Sequence, residues 1–114
     1  MIESILNETK KIFIFGKDIH SKYLFCNETT AEAAGFDSPA QIVGKTDADL
    51  FWSKYANLYR SYEESVLRGN TFMNVQAPVT VAQKNITTIL SCQTILFGKN
   101  GHPAGITGHC IDIT

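Results

Sequence analysis

The last third of the chain constrains its fold most. Three segments rich in β-branched and aromatic residues, about 72–82, 86–97 and 104–113, run almost without interruption to the C-terminus, a composition that fits pleated, half-buried strands. Asn100-Gly101, between the second and third segments, predicts a two-residue hairpin, because both central positions of that turn need positive φ. Pro78 has no N–H to donate to a ladder, so the first of the three belongs at a sheet edge. Two further strand segments, Ile12 to Phe15 and Tyr23 to Cys26, stand near the start and read as another hairpin.

Between these groups the sequence changes to helix punctuation. Thr29-x-x-Glu32, Ser38-Pro39-x-Gln41 and Thr46-x-x-Asp49 each set a cap three residues before an acceptor, and Gly35 and Gly44 end the first two turns. A longer helix is predicted over Ser53 to Gly69. It buries Tyr55, Leu58, Tyr59, Tyr62 and Val66 and turns Lys54, Asn57, Arg60, Glu63, Glu64 and Arg68 outward. Residues 1–10 carry Ile2, Ile5 and Leu6 in a short amphipathic pattern. Left wet, those three side chains would each forfeit about 1.5–3 kcal/mol, so we assign them to a cap helix that contacts a second copy of the chain. The domain proper is placed at 11–114. The order of two strands, four helical pieces and three strands predicts an α+β fold, one antiparallel sheet covered by helices on one face.

Charge and composition narrow the function. A formal net charge of -1 gives no electrostatic footprint for nucleic acid or an anionic membrane. No apolar run reaches the roughly 18 residues of a membrane span, and the first residues lack the apolar centre of a signal peptide, so the expected location is the cytoplasm. Cys26, Cys92 and Cys110 contain no C-x-x-C pair and are expected as buried free thiols. His20, His102 and His109 lie on separate loops and a strand, with no spacing that brings two to one metal. The sequons beginning at Asn7, Asn27 and Asn85 are read as chance matches to a short pattern.

The segment Ile42-Val43-Gly44-Lys45-Thr46-Asp47-Ala48-Asp49-Leu50-Phe51-Trp52 and the ending Gly105-Ile106-Thr107-Gly108-His109-Cys110-Ile111-Asp112-Ile113-Thr114, in this order of elements, resemble the PAS family of sensory domains. The resemblance covers about residues 10 to 114. It implies a five-stranded sheet of order 2-1-5-4-3, a non-catalytic sensory and dimerisation role, and a homodimer formed through the helix ahead of the first strand. It also implies a covalently linked effector: a histidine kinase, a diguanylate cyclase or a transcription regulator. The signal would leave through Asp112, Ile113 and Thr114.

The resemblance also bears on cofactors. The flavin-binding members carry a reactive cysteine in an N-C-R-F-L-Q helix and amide side chains on the strands. Here the helix reads Asp47 to Trp52, and the aligned strand positions are Val79, Ile89 and Cys110. The haem-binding members use a histidine on the long helix, and 53–69 contains none. Neither flavin, haem nor metal is therefore expected.

What remains is a pocket for a small organic ligand, lined by Tyr55, Leu58, Tyr59 and Tyr62 from the helix and Val75, Ala77, Val79, Ile89, Ser91, Gln93 and Cys110 from the strands. The competing reading lets the same side chains fill the core of a purely structural dimerisation module. A third reading, a small isomerase- or thioesterase-like enzyme, needs a carboxylate or histidine inside the pocket. Asp18, Glu28, Asp37, Asp47, Asp49, Glu63 and Glu64 are all expected in loops, caps or polar helix faces.

Overall fold

A computed structural model describes residues 12–70, 72–82 and 85–114 of the chain, without the side chains of 72 and 73. The elements are β1 (Ile12–Asp18), β2 (Tyr23–Cys26), α1 (Glu28–Ala33), three short 3₁₀ turns at Pro39–Ile42, Asp47–Asp49 and Ser53–Tyr55, α2 (Ala56–Leu67), β3 (Phe72–Pro78), β4 (Thr88–Phe97) and β5 (Pro103–Asp112). The strands form one five-stranded sheet of order β2-β1-β5-β4-β3, antiparallel at every pairing. Pro78 ends β3 at the sheet edge, where no ladder asks for its missing N–H. The helices pack on the face of the sheet that carries Phe13, Phe15, Ala77, Ile89, Ile106 and Cys110, and the core lies between the two layers. The segment holding Ile2, Ile5 and Leu6 lies outside the described residues.

Several boundaries differ from the sequence reading, each for a local reason. β1 continues past Phe15 to Asp18, which brings Gly16 and Lys17 into the sheet. Asn27, not Thr29, caps α1: its Oδ1 accepts from Thr30 N and Ile14 N, and its Nδ2 donates to Ile12 O at 2.8 Å. One side chain thus joins a helix start to the neighbouring strand, a use of that asparagine separate from any sequon. The caps at Ser38 and Thr46 are as expected, with Gln41 and Asp49 reaching back to the backbone. Ser53–Tyr55 forms a tighter turn than the helix it precedes, so α2 begins at Ala56. Glu63 moves into the core and Leu58 moves out, 37% exposed. Asp47 is likewise buried and not solvated.

The β4–β5 connection is a five-residue loop, 98–102, and not a two-residue turn. Gly98 N donates to His102 O at 2.8 Å, and Gly101 alone takes the left-handed conformation, φ 77°. Asn100 instead uses its side-chain oxygen to accept from His102 N. Of the three cysteines only Cys110 is buried; Cys26 and Cys92 are partly exposed. Among the described residues no helix is long and apolar enough to cross a membrane.

Candidate functional site

The site begins with Lys17. Strand alternation points Phe13, Phe15 and Lys17 into the core, so a lysine only 3% exposed lies under the helical layer. Two carboxylates meet it there. Lys17 Nζ donates to Asp47 Oδ2 and to Glu63 Oε2, each at 2.6 Å. The other oxygens are also engaged: Asp47 Oδ1 accepts from the Tyr23 hydroxyl and from Trp52 Nε1, both at 2.7 Å, and Glu63 Oε1 accepts from the Ser21 hydroxyl. Ser21 sits in a left-handed turn, φ 65°, and its oxygen accepts in turn from Arg60. One network therefore ties β1, β2, the turn between them, the Asp47 turn and α2 together. Burial and the neighbouring Asp47 charge push the Tyr23 phenol well above its ordinary pKa, so it remains a donor.

Beside this network is a cavity of about 60 Å³. Its walls are mainly apolar and aromatic: Phe13, Phe15, Tyr23, Trp52 and Tyr59 on one side, Val79, Val81 and Ile89 on another. Lys17 forms one polar end. Its ammonium lies 4.8 Å from the centre of the Tyr23 ring and 5.5 Å from that of Phe15, within cation–π range. Ser91, Gln93 and Cys110 add further polar groups to the lining. Cys110 Sγ donates to Ser91 Oγ, and burial raises its thiol pKa to about 11, so it is a protonated, unreactive group at neutral pH. Among the described residues Gln93 Oε1 is buried without a hydrogen-bond partner.

The sequence profile of one family, described as PAS fold, matches residues 11–114. The chain belongs to the PAS fold family. Among solved structures, the PAS domain is similar to VqmA of Vibrio cholerae in a complex with ligand and DNA, at 17% identity and a TM-score of 0.83 over all of this chain and 52% of the other. It is similar to a phage VqmA–DPO complex, at 21% identity and a TM-score of 0.75 over 98% of this chain and 52% of that one. It is also similar to a PAS domain of Colwellia psychrerythraea, at 18% identity and a TM-score of 0.70 over 100% and 98% of the two chains. The chain thus spans about half the length of the VqmA proteins it matches. No curated protein matches it in sequence.

Within this PAS domain, Tyr59, Tyr62, Ala77, Val79, Ile89, Ser91, Gln93 and Cys110 line the cavity as the sequence predicts. Tyr55, Leu58 and Val75 do not. Tyr55 lies outside the cavity wall, its ring tilted against that of Tyr59 with centres 6.1 Å apart, and Leu58 is partly exposed. Val75 packs on the core elsewhere. The residues that sequence reasoning missed are Lys17 with Asp47 and Glu63, and the aromatic wall from β1, β2 and Trp52. A signal for Lys17 was present: Phe13-x-Phe15-x-Lys17-x alternates once the strand is extended by three residues.

At the far end of β5, the backbone N–H of Ile113 donates to Thr88 O at 3.1 Å, and Thr114 Oγ1 accepts from Thr87 N. Asp112 is paired with Ile89, itself a cavity residue.

Proposed function

We propose that this PAS domain is the non-catalytic input module of a signalling protein, which takes a small organic molecule into the cavity and passes its occupancy out through Asp112, Ile113 and Thr114. The observation that carries the reading is the cavity itself: mainly apolar and aromatic walls with Lys17, Ser91, Gln93 and Cys110 as polar lining groups, on strands that lead directly to the exit. The VqmA structures, which hold a ligand and in one case DNA, support a ligand-fed output from a fold of this kind. By that analogy an effector domain is covalently attached, the module works as a homodimer through Ile2, Ile5 and Leu6, and any nucleic-acid contact belongs to the effector.

Catalysis is disfavoured by the state of the buried carboxylates. All four oxygens of Asp47 and Glu63 accept hydrogen bonds from Lys17, Tyr23, Trp52 or Ser21, which leaves neither group free to exchange a proton with a substrate. We also propose that neither flavin nor haem is bound, since 60 Å³ is far below what either needs. The same modest volume favours one competitor, a ligand-free dimerisation unit.

Native mass spectrometry of the protein as purified from cells separates the two. The ligand reading predicts a copurified small molecule that disappears in Val79→Trp, where an indole fills the space, while circular dichroism shows the domain still folded. Protein that carries no added mass in any preparation, and binds nothing from a cell extract, refutes it.

A further inference from the structure

Tyr59 lines the cavity from α2, but its hydroxyl is committed beyond it, donating to Pro78 O where β3 ends. Burial raises the phenol above its ordinary pKa, so the proton stays on that oxygen at neutral pH. β3 is the edge strand, and the Pro78 carbonyl is therefore met by a side chain and not by another strand.

The same peptide group continues the connection. Pro78 C=O and Val79 N–H belong to one planar, trans peptide whose two polar ends point in opposite directions. At its far end Val79 N donates to Thr87 O at 3.0 Å. Thr87 C=O shares a second peptide with Thr88 N–H, which faces Thr114 Oγ1 at 3.4 Å, while Thr87 N–H approaches the same oxygen at 3.0 Å. Ile113 N and the Thr114 hydroxyl both donate to Thr88 O, at 3.1 and 3.5 Å. A hydroxyl at the cavity is thus joined to a hydroxyl at the exit through two stiff peptide groups. A plane displaced at one end moves at the other, and each hydrogen bond in such a series polarises the next.

β5 offers a second connection between cavity and exit, but a more braced one. It pairs with β1 from Gly105 to Ile111 and with β4 from Pro103 to Asp112, so shifting it disturbs two ladders at once. The Tyr59 series crosses from α2 to the exit through the ends of β3 and β4 and needs no such shift.

We propose that the Tyr59 hydroxyl reports the state of the cavity, and that the peptides Pro78–Val79 and Thr87–Thr88 carry its position to Thr114. This rests on the ligand-binding reading above: a molecule that pushes Tyr59 aside, or accepts its proton, releases Pro78 O and loosens the hold on Thr114.

Amide hydrogen exchange of the ligand-free chain, followed by NMR, tests the connection, with the amides of Phe15 and Ile106 in mid-sheet as reporters of overall opening. Tyr59→Phe removes the hydroxyl and keeps the ring. Exchange at Val79 and Ile113 should rise about three- to tenfold, the equivalent of one neutral hydrogen bond, and by more than at Phe15 and Ile106. Thr114→Val removes the acceptor at an exposed position, where folding is not at stake. Because coupling is reciprocal, it should raise exchange at Val79. In the double variant the two changes should not add, since both break one series.

A response at Val79 without one at Ile113 in Tyr59→Phe overturns the connection, as does Thr114→Val leaving Val79 unchanged. A rise at Ile113 no larger than at Ile106 overturns it too, since that is general loosening. No ligand enters these measurements. The connection therefore fails on the amides, whereas the pocket reading fails on the absence of a copurified mass.

Discussion

Lys17→Met is the perturbation that bears most directly on how the site is held. Methionine fills the same volume with no charge, so packing is largely conserved and the loss comes from electrostatics. It leaves Asp47 and Glu63, 4% and 1% exposed, without their shared cation. Removing one partner of a buried ion pair costs about 3–5 kcal/mol, against a total stability of roughly 5–15 kcal/mol for a domain. With a urea slope of about 1–2 kcal/mol/M, the midpoint should fall by roughly 1.5–5 M, read from the fluorescence of Trp52. Lys54→Met, which removes an exposed lysine lying over Tyr55, is the control and should stay within about 0.5 kcal/mol. One further signature is specific to stranded carboxylates. Adding Glu63→Gln to Lys17→Met should recover part of the loss, because one stranded charge is gone. A loss below about 1 kcal/mol, or a double variant no more stable than Lys17→Met alone, would refute the reasoning.

The wild-type domain should lose stability on the alkaline side. Cys110 keeps its proton up to about 11 when folded against 9.0 for an ordinary thiol, and Tyr23 and Tyr59 are raised from 10.0. The unfolded chain therefore releases protons first, and urea midpoints should decline from about pH 9 upward; a flat profile to about pH 11 contradicts the burial of these groups. Alkylation followed by peptide mass spectrometry should label Cys110 last of the three cysteines, since it alone is buried. Gly105→Ala should be severe, about 3 kcal/mol or more, because its φ of 157° is joined by a Cβ position 1.8 Å from Lys17 O, an immovable backbone atom. Gly16→Ala meets the ring of the half-exposed Phe25, which has room to turn away, and should cost clearly less in the same urea titration.

The strand order came from the family resemblance, whereas the strand segments and the edge placement of Pro78 were legible because alternation and a missing N–H are local properties with one structural solution each. Eight strand and helix positions of the cavity, among them Val79, Ser91, Gln93 and Cys110, were legible for the same reason. The Lys17–Asp47–Glu63 network was not. Its members are 30 and 46 residues apart in sequence, and each reads locally as a solvated loop, cap or surface residue. Burial of a charge is decided by partners that only the tertiary fold supplies. Glu63 shows this plainly: it lies one turn from both Tyr59 and Val66, on the side of α2 that packs inward, and its charge rather than its spacing assigned it to solvent, whereas in the fold it faces Lys17. Asn100-Gly101 failed differently, since the asparagine side chain found a hydrogen bond that did not require positive φ.

The central claim is that what happens in the cavity reaches the C-terminal strand. Amide hydrogen exchange along β5, with and without the copurified or titrated ligand, tests it most directly. Cys110 lines the cavity, whereas the Ile113 N–H donates to Thr88 O at the start of β4. The account predicts that ligand changes protection not only at Cys110 but also at Ile111 to Thr114, and that Val79→Trp abolishes the ligand effect. Protection changes confined to the cavity walls, with 111–114 unaltered, would contradict it.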